Sequence, residues 1–154
     1  MSKHTVDKSK ADLPVEALML ECVKDRYKLS YAALRIVSGL LFAFHGMQKI
    51  FGILSQHQTT LGSQVWFGGL IELVGGAAVA LGLFTRCAAF VASGTMAVAY
   101  FQFHWKLQGG PLILPGMNGG ELAVLYCWLF LVFACKGAGP WSVDATREKA
   151  AAAK

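Results

Sequence analysis

Apolar residues in this chain fall into four long runs separated by short polar breaks. The first runs from about Leu29 to Phe51 and the second from Val65 to Phe84. The third runs from Cys87 to about Trp105, the fourth from about Gly119 to Cys135. Some twenty helical residues span about 30 Å, the thickness of a bilayer's hydrocarbon core, so each run predicts a transmembrane helix. Little more than Thr85-Arg86 separates the second run from the third, which predicts a tight helical hairpin. Gly52 to Gln64 is polar and carries no Lys or Arg. Lys106 to Asn118 is interrupted by Gly109-Gly110, Pro111, Pro115 and Gly116, which predicts loop or re-entrant backbone. Upstream of the first run, Val15, Leu18, Met19, Cys22 and Val23 recur at helical spacing, with Glu16, Glu21, Lys24 and Asp25 between them. That pattern fits an amphipathic helix on the inner membrane surface or against a partner; a short, partly ordered tail is the alternative. The expected fold is all-α: a four-transmembrane-helix bundle with an N-terminal amphipathic helix. Residues 1–28 form a charged tail, 29–136 the membrane domain and 137–154 a second tail.

Composition supports the lipid reading. The chain has 154 residues, 55% of them hydrophobic and only 15% charged, below the roughly 25% charged residues of soluble domains. A soluble globule of this length could not bury so many apolar runs. The formal charge of +5 is unevenly placed. Lys3, Lys8, Lys10, Lys24, Arg26 and Lys28 precede the first run, and Lys136, Arg147, Lys149 and Lys154 follow the fourth. Four spans put both tails and Arg86 on one side, leaving Lys49 and Lys106 on the other. The positive-inside rule makes the basic side cytoplasmic, an N-in, C-in topology. No aromatic-interleaved basic patch points to nucleic acid. The first 28 residues hold no apolar core of a cleavable signal peptide, so the first span is expected to direct the chain into a cell's inner membrane as a multi-pass protein.

Glu72 is the only ionisable residue between Val65 and Phe84. A carboxylate at such a depth costs roughly 2.5–3.5 kcal/mol on insertion scales unless it is paired or wetted. The other runs also carry polar residues at helical spacing. Arg35, Ser38, His45 and Lys49 share a face of the first. Gly68, Glu72, Gly75, Val79, Gly82 and Arg86 share one of the second, where glycines would let a neighbouring helix approach closely. Ser93, Tyr100 and His104 line the third; Glu121, Trp128 and Cys135 repeat along the fourth. At 1.5 Å per residue Glu72 lies about 10 Å below the outer end of its helix. His45, Lys49, His104 and Glu121 fall in the same outer half. The five define a candidate polar pocket open to the outer leaflet, with cations or histidines to balance its carboxylates. It could take a quinone head group or relay protons; simple helix–helix adhesion is the plainer reading. Arg35 and Arg86, on the inner side, are expected to serve structure with Asp144 as their ion-pair partner; snorkelling is the alternative for Arg35.

Other chemistry is thin. Cys127 and Cys135 are about 12 Å apart along one helix, too far for a disulfide, and the cysteines read as apolar fillers. No H-x-x-x-H or E-x-x-H spacing supports a metal site. Gly-Leu-Ile-Glu-Leu-Val-Gly-Gly follows no strand and is not a dinucleotide fingerprint.

Four motifs carry a resemblance: F-H-G-M-Q-K in the first run, G-G-L-I-E-L-V-G-G in the second, L-G-L-F-T-R at the hairpin and G-A-G-P-W-S-V-D after the fourth. In this order and spacing, over roughly residues 29 to 145, the chain resembles the DoxX family of small four-helix membrane proteins. The two charged or alanine-rich tails fall outside that core. The family's H-G-x-x-K corresponds to His45, Gly46 and Lys49, and its E-x-x-G-G to Glu72, Gly75 and Gly76. Its helix-four glutamate corresponds to Glu121, and its terminal S-x-D to Ser142 and Asp144. Some relatives are named as a subunit of a thiosulfate:quinone oxidoreductase or tied to membrane redox complexes, so the resemblance implies a redox-associated, quinone-linked membrane subunit. With no cofactor motif legible, electrons would come from a partner protein or a substrate. A non-catalytic anchor or assembly factor for a redox complex is the alternative, and a small-solute or proton transporter a further one. Homo-oligomerisation stays open.

Overall fold

The structure, a computed structural model, describes residues 15–54, 59–107 and 110–153; of residues 16–18, 20–22, 24–25 and 111 it describes the backbone alone. Lys3, Lys8, Lys10 and Lys154, parts of the two loops, and the Leu18 and Cys22 side chains therefore lie outside the described residues. All regular elements among the described residues are helical: α1 Val15–Phe51, α2 Gln64–Leu81, α3 Thr85–Ala99, α4 Pro115–Asn118, α5 Glu121–Lys136 and α6 Val143–Ala152. A π-helical turn, Tyr100–Trp105, extends α3, and a 3₁₀ turn, Gly110–Ile113, precedes α4. Among the described residues two stretches are long and apolar enough to cross a membrane, Arg26–Phe51 within α1 and the whole of α2. The third and fourth apolar runs became α3 with its π turn, and α5.

The separate amphipathic helix expected before the first span is not separate. Val15 to Phe51 is one helix of 37 residues, about 55 Å long. No glycine or proline stands between Val15 and Gly39 to break it. The other boundaries follow capping chemistry. Ser63 Oγ accepts from the Trp66 amide at the start of α2, and left-handed Gly82 (φ 69°) ends it, with Leu83 N–H returning to the Ala78 carbonyl. The expected Gly/Pro-rich loop is folded rather than open. Asn118 Nδ2 donates to the Leu112 carbonyl at 2.8 Å, and Tyr100 donates its hydroxyl proton to the Ile113 carbonyl.

The bundle closes by two different means. Between α1 and α2 the backbones touch: a Cβ on Gly39 would meet Ala80 N at 2.6 Å, and one on Gly76 would meet Ala43 N at 2.5 Å. The glycines that face α1 are thus Gly69 and Gly76. Gly68 and Gly75, expected on the packing face, have open space or ordinary contact. Between α1 and α5 large rings fill the gap. Phe42 meets Phe130 at 4.6 Å, and Tyr31 meets Phe133 edge-on at 5.5 Å. The inward face of α5 is Ala123, Tyr126, Phe130 and Phe133. Glu121, Trp128 and Cys135, the expected polar stripe, are exposed instead; Trp128 is 63% accessible.

Candidate functional site

At one end of the bundle, Arg35, Arg86 and Asp144 gather, but not as an ion pair. Arg35 is fully buried and donates to the Ala138 carbonyl at 2.5 Å and the Trp141 carbonyl at 2.7 Å. Arg86 donates to the Cys135 carbonyl at 2.5 Å, with Ala134 and Lys136 close by, and so caps α5. Asp144 accepts from the Phe84 and Thr85 amides, each at 2.9 Å, and from the Thr85 hydroxyl at 3.0 Å. The reason is local. Helix ends leave unpaired carbonyls and amides, and these lie nearer each charged group than the opposite charge does. Burial raises the Asp144 pKa, but the Thr85 and Phe84 hydrogen bonds, with nearby Arg147, outweigh it and hold the carboxyl below its ordinary value. A hollow of about 980 Å³ lies beside this knot; its Arg86 and Asp144 are already engaged, so the knot reads as structure.

The other charged group, toward the opposite end of α1 and α2, is different in kind. Glu72 is 2% exposed, between Gly69 and Gly76 on the face that touches α1. Gly46, one turn before Lys49, lets that face come close: a Cβ there would stand 2.3 Å from Leu73 N. The close approach brings Lys49 Nζ to 2.5 Å from Glu72 Oε1. Thr59 secures the end of α1 by donating its amide at 3.2 Å and its hydroxyl at 2.8 Å to the Lys49 carbonyl. Glu72 Oε2 is buried and has no hydrogen-bond partner. An unsatisfied buried acceptor of this kind costs about 1–3 kcal/mol, and more when charged.

Two cavities meet at this pair. A lateral one of about 580 Å³ lies between α2 and α3, walled by apolar Val65, Phe67, Ile71 and Phe103. An inner one of about 190 Å³ lies among α1, α3 and α5, walled by Phe42, His45 and Tyr126 and reaching Gly119. Glu72, Lys49, Met96, Ala99 and His104 belong to both. His104 is presented by the π-helical turn, with Nδ1 3.4 Å from the Asn118 carbonyl. Wider turns of this kind recur at functional sites.

Four of the five pocket residues expected from the sequence are therefore brought together: His45, Lys49, Glu72 and His104. Glu121 is not among them. It stands exposed at the start of α5, near Gly116, where its carboxylate suits the positive end of the helix. Tyr126 lines the inner cavity and was not anticipated. Its signal, three and four residues from Ala123 and Phe130, reads as ordinary core spacing. Gln64, at the edge of the lateral cavity, donates to Gln102 across the gap between α2 and the π turn, and it too carried no signal.

Two apolar helices of spanning length among the described residues, and a buried carboxylate held by a half-buried lysine, fit a membrane-embedded helical bundle. The comparisons give the family: the DoxX profile matches residues 30–105, and this chain belongs to the DoxX family. A Haemophilus influenzae protein described as an uncharacterized protein is 41% identical over 125 residues, 78% of this chain and 92% of the relative. No solved structure matches the chain. The profile covers Glu72, His45, Lys49 and His104 but ends before Glu121, Ser142 and Asp144.

Proposed function

We propose that this protein is a four-span inner-membrane subunit, N-in and C-in, that holds the head group of a membrane-dissolved quinol for a partner redox enzyme. The spans are the outer part of α1, α2, α3 with its π turn, and α5. α5 is short, about 24 Å, within what local bilayer thinning accommodates. Exposed Val37, Leu41, Val74, Phe90, Leu125 and Val132 supply the apolar surface that lipid would cover. One observation carries the reading: Glu72, whose Oε2 is buried and unpartnered, is a wall residue of the cavity between α2 and α3. A quinol hydroxyl is the donor that oxygen lacks. Lys49 and His104 share the lateral cavity and would hold the head group's second polar edge. The apolar wall suits the rest of the molecule.

Purified protein in mild detergent should bind decylubiquinol, with a raised melting temperature and affinity in the micromolar range or better. Glu72→Gln should weaken binding at least tenfold while its own melt stays cooperative. Wild-type protein that shows no thermal shift with added quinol, or Glu72→Gln that binds as well, would falsify the proposal. A second reading, a docking scaffold, draws on the exposed stripe Val15, Met19, Val23 and Tyr27 along the inner extension of α1. Deleting residues 1–26 should then release a co-purifying partner; an unchanged co-purification profile sinks that reading.

A further inference from the structure

We infer that the two cavities divide the work: the lateral one takes the ligand, and the inner one is the route by which Glu72 exchanges protons with water at the outer face. The ligand side rests on the quinol reading above; the proton route stands on geometry of its own. Among the described residues, Glu72 is the only carboxylate in the wall of either cavity. Every other titratable group facing the inner cavity is a proton-exchanging or charge-balancing side chain: His45 and Lys49 from α1, His104 from the π turn and Tyr126 from α5. The His45 and Tyr126 rings lie edge to face, 6.5 Å between centroids. At about 190 Å³ the cavity has room for several waters, and its wall ends at exposed Gly119 and Leu122, on the outer rim of the bundle. The lateral cavity, by contrast, holds neither His45 nor Tyr126. A ligand seated there would leave the route clear.

The step balances without a new reagent beyond the partner's redox centre. As that centre withdraws an electron, the quinol O–H bond breaks and the proton joins Glu72 Oε2. Electron and proton leave together, so the ligand oxygen stays uncharged, and Lys49 is in place to balance Glu72 once it is a carboxylate again. The Glu72 carboxyl then gives its proton through water to a His45 ring nitrogen, and the imidazolium loses it to bulk water past Gly119. Two rounds release two protons and two electrons and leave the quinone. An imidazole is suited to the middle position because one ring nitrogen can accept a proton while the other gives one up.

The test is a rapid-scan infrared pH jump on the full-length protein in detergent, following the carboxyl band assigned to Glu72 by its loss in Glu72→Gln. Wild-type protein should protonate Glu72 quickly after the jump. His45→Gln should slow that step at least tenfold, Tyr126→Phe less, and added imidazole should restore the rate in His45→Gln, which misfolding could not allow. A wild-type protonation rate in His45→Gln, no rescue by imidazole, or no Glu72 band at all overturns the relay. Failure of wild-type protein to bind decylubiquinol overturns the ligand assignment instead and leaves the pH-jump result to be read on its own.

Discussion

Replacing Gly46 with alanine tests whether Glu72 and Lys49 meet because α1 and α2 touch backbone to backbone. The added Cβ would stand 2.3 Å from Leu73 N and 2.5 Å from Gly69 O. Ordinary contact requires roughly 3.5 Å. Both obstacles are main-chain atoms inside a helix, so no rotamer change relieves them. The helices must part by roughly 1 Å at this point. Overpacking of this kind costs about 1–3 kcal/mol, while alanine regains roughly 1 kcal/mol of helix propensity. The net expectation is a loss of up to about 2 kcal/mol. Gly68→Ala is the matched control: its Cβ would meet nothing within 4 Å, so only the propensity gain, up to about 1 kcal/mol, should appear. Thermal unfolding in detergent, followed by circular dichroism, should therefore move in opposite directions for the two variants. Quinol binding should weaken in Gly46→Ala, because Lys49 is carried away with α1. If Gly46→Ala is as stable as wild type, or both variants shift the same way, the close approach does not hold the site.

The knot at the other end gives a pH prediction. The Asp144 carboxylate is preferred in the fold, so its stabilisation is fully present above the ordinary aspartate value of about 3.9 and drains away as pH falls through the depressed folded value. Melting temperature should fall more steeply with acid in wild type than in Asp144→Asn, and parallel curves would contradict the cap. Arg35→Met leaves the Ala138 and Trp141 carbonyls without their donor and should cost on the order of 3 kcal/mol, read by denaturant unfolding; a neutral result would mean the α5–α6 turn is held by other contacts. For topology, an impermeant maleimide should modify Cys87 and Cys135 in inside-out vesicles but not in right-side-out ones, scored by mass spectrometry; the reverse pattern defeats the N-in orientation.

The pattern of apolar runs determined by itself that the chain is helical and which apolar stretches carry charge. It also marked Glu72, because a lone carboxylate in twenty apolar residues is anomalous in any fold. Motif order was enough to place the chain in its family. What it could not determine was rotation about each helix axis to better than a residue. Reading Gly68 and Gly75 as the packing face, when Gly69 and Gly76 touch α1, is an error of one position, about 100° on a helix. Glu121 failed for a related reason: matched depth does not mean a shared interior, and the inward face of α5 is set by the rings that must fill the wide gap to α1. Arg35, Arg86 and Asp144 were expected to pair with one another, yet their partners are helix-end carbonyls and amides, which exist only once helices have ends in particular places. Most of all, only tertiary structure put one oxygen of Glu72 against Lys49, left the other buried without a partner, and made Glu72 a wall residue of two cavities. Spacing along a chain shows which groups can meet; the packing of backbones decides which of them are left wanting a ligand.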